Sequence, residues 1–141
     1  MEKFNFKLER VLDYKKGVET SKKNEYGKAS QKLNDNEILL QSYNDYKEGL
    51  AKERNNSVIN TSINDLKMYN NFLDNINNRI NIQKKEVHKS RKEMETAKDE
   101  LLEATKEKKM FEKLKEYRYD EYLYSLKKDE EKVVDTIVSY K

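Results

Sequence analysis

Apolar residues recur along this chain at alternating steps of three and four. In the second half the series runs Ile59, Ile63, Leu66, Tyr69, Leu73, Ile76, Ile80, Gln83, Val87, Ser90, Met94, Ala97, Leu101, Ala104, Lys108, Phe111. A mean spacing of about 3.5 residues keeps one side of an α-helix turned toward a partner helix. The first half carries a second series: Phe4, Leu8, Val11, Val18, Ala29, Leu33, Leu40, Tyr43 and Leu50, with Lys15, Lys22 and Asn36 at intervening positions. Polar seam residues lower stability and fix register. Gly17 and Gly27 each cost about 1 kcal/mol relative to alanine inside a helix. The pattern resumes in phase after both, so they are read as a bend or a close backbone contact, not an end.

Between the two series lies Asn55-Asn56-Ser57-Val58-Ile59-Asn60-Thr61-Ser62. Asn, Ser and Thr side chains compete for the local backbone and weaken helix. Gly49 lies just upstream. The expectation is one coiled-coil domain over residues 1–141: a helix over about 3–54, a turn over about 55–62 and a helix over about 63–138. Thr61 or Ser62 is the candidate N-cap of the second helix, with Asp65 three residues after Ser62. The fold class is therefore all-α, a long antiparallel two-helix coiled-coil hairpin with a C-terminal helical overhang. A turn near residue 58 makes facing residue numbers sum to about 116, setting Phe4 near Phe111 and Tyr43 near Leu73, in a rod roughly 75 Å long. Residues after about 115 would then have no partner from the first helix. Glu86–Lys89, Glu95–Lys98, Glu103–Lys106 and Glu112–Lys115 fall at i,i+3, each such pair adding about 0.2–0.5 kcal/mol.

Composition sharpens this picture. Of the 141 residues 40% are charged and 35% apolar, too few apolar side chains for a thick core but enough for a seam. There is no proline, the strongest helix breaker, and no cysteine, which excludes disulfides and thiolate metal sites. The absence of cysteine fits a reducing compartment. The opening residues carry no apolar run, so a secretory signal is not expected, and no stretch reaches membrane-spanning length. The net charge of +3 comes from 30 basic and 27 acidic side chains, interspersed as on a solvated helix and unlike the segregated basic face that nucleic acid requires.

Candidate chemistry is sparse. His88 follows the seam residue Val87 and has no second ligand beside it, so it reads as a solvated helix histidine. Carboxylates are mixed with lysines on a convex surface, without a cleft to shift their pKa values. The three glycines are isolated and form no phosphate loop. No catalytic, cofactor-binding or metal-binding residue is assigned, no cofactor is expected, and the chain is not expected to be an enzyme. Two aromatic clusters, residues 39–46 and 69–76, come together under the pairing estimate. Tyr46 and Phe72 either form an exposed patch for a partner or widen the local core; the pattern alone leaves both open. The tyrosines 117, 119, 122 and 124, with Leu123, Leu126, Val133, Val134, Ile137 and Val138, form an amphipathic tail. It calls either for a partner or for self-association. Asp120, Glu121, Asp129, Glu130 and Glu131 oppose nucleic-acid stacking there.

The opening Phe4-Asn5-Phe6-Lys7-Leu8-Glu9-Arg10-Val11-Leu12-Asp13-Tyr14 resembles the start of FliJ proteins of the bacterial flagellar export apparatus. Tyr69-Asn70-Asn71-Phe72-Leu73-Asp74-Asn75-Ile76, continuing to Ile80 and Gln83, resembles that family's middle segment. Glu107-Lys108-Lys109-Met110-Phe111-Glu112-Lys113-Leu114-Lys115-Glu116, followed by tyrosines, resembles its distal helix. The resemblance implies an antiparallel two-helix coil like the central stalk of rotary ATPases. It implies association with the export ATPase FliI, the export gate FlhA and export chaperones, with a location in the cytoplasm, peripheral to the inner-membrane export apparatus. Leu39, Tyr46, Phe72 and Ile76 match the family's gate-contacting patch. Ser42 replaces an aromatic there, Arg79 stands where a small residue occurs, and Gln83 where histidine can occur. Phe4, Leu8, Val11, Leu12, Tyr117, Arg118 and Tyr122 are the candidate ATPase-facing residues, at the terminal end of the coil. The leading expectation is a non-enzymatic stalk and adaptor of flagellar type III protein export. The alternatives are the equivalent stalk of a non-flagellar type III secretion system, and a homodimeric structural coiled coil.

Overall fold

A computed structural model describes residues 3–57 and 62–140. They form two helices, α1 (Glu9–Ser57) and α2 (Ile63–Ser139), with no strand among the described residues. Contacting pairs run in opposite senses: as α1 advances from Lys15 to Lys22, its partner on α2 recedes from Glu107 to Glu100. The helices are therefore antiparallel, and the hairpin is the fold. The connection at residues 58–61, where the turn was expected, lies outside the described residues.

Helix boundaries follow from local chemistry. Ser62 caps α2: its Oγ accepts from the Asp65 amide at 3.2 Å, and its carbonyl accepts from the Leu66 amide at 3.1 Å. Asp65 then places negative charge in the first turn, where the helix dipole favours it. The α1 helix begins at Glu9, not at about residue 3. The reason is the Phe4-Asn5-Phe6 alternation. Extended chain sends residues i and i+2 to one side, whereas a helix would separate them around its axis. In this segment Phe6 is buried and Phe4 packs on tyrosines of α2. At its other end α1 runs through Asn55 and Asn56 to Ser57, past the expected boundary, and Arg54 Nη1 donates to Asn70 Oδ1 at 3.1 Å. Cross-helix pairing overrides the poor propensity of those asparagines.

The chain divides into two compact units, one of Met1–Lys23 with Glu100–Lys141 and one of Asn24–Asp99. In the first, Leu12 is 1% exposed and Phe6 and Ala104 are buried with it. Glu19, absent from the expected seam, is also buried; Lys108 Nζ donates to its Oε1 at 3.1 Å. Lys15 pairs with Glu107 at 2.9 Å, and Lys115 sits 2.8 Å from Glu9. The expected Glu112–Lys115 pairing gives way to these links, with Glu112 turning to Lys108 at 3.7 Å. In the second unit Leu50, Ile76 and Ile80 form a buried cluster, covered by Leu40, Tyr43, Tyr69 and Leu73. A polar layer interrupts the seam of this unit. Asn36 Nδ2 donates to Ser90 Oγ at 2.6 Å, and Gln83 Nε2 donates to the Asn36 carbonyl at 2.9 Å and to Asn36 Oδ1 at 3.2 Å. From Leu66 to Phe111 the second stripe is the packed face of α2; Ile63 is 74% exposed, and Ile59 lies outside the described residues. On α1, Leu8 is exposed.

The pairing register differs from expectation. Facing residue numbers sum to roughly 124 within each unit, not to about 116, as Lys15–Glu107, Asn36–Ser90 and Arg54–Asn70 show. Phe4 accordingly meets Tyr119 and Tyr122, not Phe111. Lys115, Tyr119 and Tyr122 thus have partners at the start of the chain, and the tail without such partners begins later than expected.

The glycines make no close contact. A Cβ built on Gly17 or Gly27 meets nothing within 4 Å, and neither has a positive φ. Gly17→Ala and Gly27→Ala are each expected to raise unfolding free energy by about 0.5–1 kcal/mol in urea titration. The Lys108 hydrogen bond holds the Glu19 carboxyl below its ordinary pKa, against the opposing effect of burial. The same bond raises the Lys108 ammonium. A lowered carboxyl pKa contributes stability above its unfolded value, lost as pH falls toward the folded one. The lysine contributes below its unfolded value and loses that contribution only in strong alkali. Melting temperature followed by circular dichroism is expected to drop through the acid carboxylate range, and Glu19→Gln to shrink that drop.

Candidate partner-binding surfaces

The first surface lies in the unit of Asn24–Asp99. A groove of about 480 Å³ is lined by Ser42, Tyr43 and Tyr46 of α1 and by Phe72, Asn75, Ile76 and Arg79 of α2. Tyr46 is 54% and Phe72 44% exposed, so neither belongs to the buried cluster beneath them. Ile76 is 4% exposed and is a core residue that supplies the groove floor, which corrects its expected place on an open patch. The α2 stripe runs through it, and its side chain closes on Leu50 and Ile80. Leu39 is exposed at 40% but does not line the groove. Ser42 Oγ donates back to the Leu39 carbonyl at 2.7 Å, so this hydroxyl is satisfied within its own helix.

Charge is sparse along both helices beside this groove, although Arg79 lines it and Asp45, Lys47 and Glu48 flank Tyr46. Residues 38–44 of α1 hold no charged side chain, and residues 68–83 of α2 hold only Asp74 and Arg79. In a chain that is 40% charged, such depletion marks a surface cheap to desolvate. Asparagine replaces charge along this stretch of α2, at positions 70, 71, 75, 77, 78 and 81. Ile38 and Met68, in the same charge-poor stretches, are also exposed. Sequence reasoning found the aromatics but passed over the absence of charge, which was readable from the residues alone.

The second surface belongs to the other unit. Phe4 stands edge-on to Tyr119, with ring centroids 5.2 Å apart at 72°, and lies 5.6 Å from Tyr122. A groove of about 790 Å³ runs beside it, lined by Phe4, Phe6, Leu8, Arg118, Tyr122 and neighbours. Of the candidate ATPase-facing residues, Phe4, Leu8, Arg118 and Tyr122 meet at this groove. Leu12 is 1% exposed and belongs to the core, at the floor of a further groove lined by Phe4, Lys16, Glu112 and Tyr119, and Val11 beside it is half-buried. Tyr117 is 60% exposed and outside the groove lining, and Arg118 is paired with Glu121 at 3.2 Å. Beyond Tyr122, the side chains of Leu123, Tyr124, Val133, Val134, Ile137 and Val138 are exposed.

Nothing in either surface resembles a reaction centre. His88 is exposed, and no group of three or more His, Cys, Asp or Glu side chains among the described residues is placed to hold a metal ion. No helix among those residues is long and apolar enough to cross a membrane. Both grooves are open and lined in part by aromatic side chains. Against known proteins, the family model described as Flagellar FliJ protein matches residues 4–141. No curated protein and no solved structure matches the chain.

Removing Phe4 tests the packing at the second surface. Phe4→Ala is expected to cost about 1–3 kcal/mol in urea unfolding, through lost burial and two aromatic contacts. Tyr117→Ala is expected to stay within about 0.5 kcal/mol of wild type.

Proposed function

The chain belongs to the FliJ family, and on that footing we propose that it is a non-enzymatic stalk and adaptor of the flagellar type III export apparatus. Membership itself supports a role connected with flagellar export. The finer reading is that the chain works in the cytoplasm at the inner-membrane export apparatus and binds the export ATPase FliI, the export gate FlhA and export chaperones. The observation that carries the gate assignment is the charge-depleted groove between Tyr46 and Phe72. Aromatics held half-exposed over a satisfied core are available to a partner, and such residues dominate interface energetics. Leu39 adds apolar area beside them, and Ile76 supports them from below.

The ATPase assignment uses the other unit. Phe4, Leu8, Arg118 and Tyr122 bound one groove, and the exposed apolar residues of α2 past Tyr122 offer a helix face to a ring. A helical pair is asymmetric in cross-section, so it meets the subunits of a ring unequally. Any effect on ATP hydrolysis would then arise by shifting ring assembly or conformational populations, not by supplying a reacting group.

Tyr46→Ala and Phe72→Ala are each expected to weaken binding to the soluble domain of FlhA by about tenfold or more, with unchanged helix content. FliI binding should survive both changes, because its candidate residues lie in the other unit. Conversely, deleting residues 123–141 should weaken FliI binding while sparing the packing of Phe4 on Tyr119 and Tyr122. Normal FlhA binding by both point variants would overturn the gate assignment, and normal FliI binding by the truncation would overturn the tail assignment.

A further inference from the structure

Arg79 is exposed at the groove between Tyr46 and Phe72 and is the one charged residue in its lining. Among the described residues no ion pair engages it. Of the charges nearby, Lys47 and Glu48 follow Tyr46 on α1, and Glu48 lies 4.0 Å from Lys52. Asp74 lies on α2 outside the lining, and Asp45 of α1 accepts from Gln41 Nε2 at 2.9 Å. Elsewhere the contrast is clear: Arg91 and Lys32 in the same unit each hold a glutamate across the seam, at 2.8 and 3.0 Å. Arg79 is thus a guanidinium left unpaired in an aromatic, charge-poor setting. Its five donors form a planar fork that matches a carboxylate in two-point contact.

We propose that the occupant of this groove is a peptide segment presenting one apolar side chain with a carboxylate beside it. The apolar group lies between Tyr46 and Phe72 over Ile76, and the carboxylate pairs with Arg79. This rests on the reading of the groove as the gate-binding surface and adds the chemistry that selects the gate segment. Charge complementarity decides the sign: a basic segment would bring like charge to Arg79, and a purely apolar one would partly desolvate the guanidinium without replacing its water.

Titration calorimetry of the full chain against the soluble FlhA domain tests it, at low and moderate salt. Arg79→Ala is expected to weaken binding about three- to fivefold at low salt, and Arg79→Lys to weaken it less. Arg79→Glu is expected to weaken it by more than about tenfold, and the salt dependence seen with wild type to flatten in Arg79→Ala. A lysine replacing one acidic residue of the FlhA domain should restore binding of Arg79→Glu. Circular dichroism checks that each variant keeps its helices. If Tyr46→Ala is impaired while Arg79→Ala and Arg79→Glu bind as wild type, the groove is right and the carboxylate is wrong. If all three bind as wild type, the gate reading falls as well. If Arg79→Glu alters only the sizing profile of the chain alone, the occupant is a second copy and the proposal is overturned.

Discussion

Neither helix contains a core of its own, and this constraint governs the rest of the structure. The α1 helix has 49 residues and α2 has 77, each with a single apolar stripe, so each depends on the other for burial. The seam is one side chain deep, and buried leucine, isoleucine and valine are rationed along it. Where they are missing, polar links take over: Lys15 with Glu107 and Glu19 with Lys108 in one unit, Asn36 with Gln83 and Ser90 in the other. Such links contribute little net stability compared with hydrocarbon. Their effect is on alignment, because shifting either helix would leave buried polar groups unmatched.

The stripe made the two helices and the packed face of α2 readable from the residues, because a period near 3.5 has few other physical meanings. Register was harder. The expected sum of about 116 came from the centre of the Asn/Ser/Thr run, and it would set Lys15 against Leu101, Lys22 against Met94 and Asn36 against Ile80. All three polar seam residues would then oppose hydrocarbon. In the structure they meet Glu107, Glu100 and the Ser90–Gln83 layer. Matching polar positions across the seam would have corrected the estimate. The non-helical start at Phe4–Phe6 was missed for another reason: a period of two over three residues is too short to stand out against a long helical pattern. Of the candidate surfaces, Tyr46 and Phe72 were legible as aromatics in excess of a seam's needs. Ile76 already stood in the expected stripe, and its burial follows from that place; Leu12 was not separable from a surface residue, because residues one step off the seam and residues in it have the same chemistry.

The grooves lie on the outside of the helix pair. Two kinds of local departure from the chain's average occur here. Around Tyr46 and Phe72 the departure is loss of charge; past Tyr122 it is exposed hydrocarbon with charge retained. These differ in how water leaves them. The first carries one cation, Arg79, in its lining, while the second alternates apolar stretches with a charged block at Lys127–Lys132.

The packing of Phe4 between two phenols has an optical consequence. The chain has ten tyrosines and no tryptophan, so its own fluorescence is weak and spread over many sites. An indole in place of Phe4 would be the sole tryptophan, beside Tyr119 and Tyr122 and next to the larger groove. Its emission could be excited apart from the tyrosines. It would report, in real time and without an attached dye, whether the N-terminal segment stays seated on α2 as conditions change.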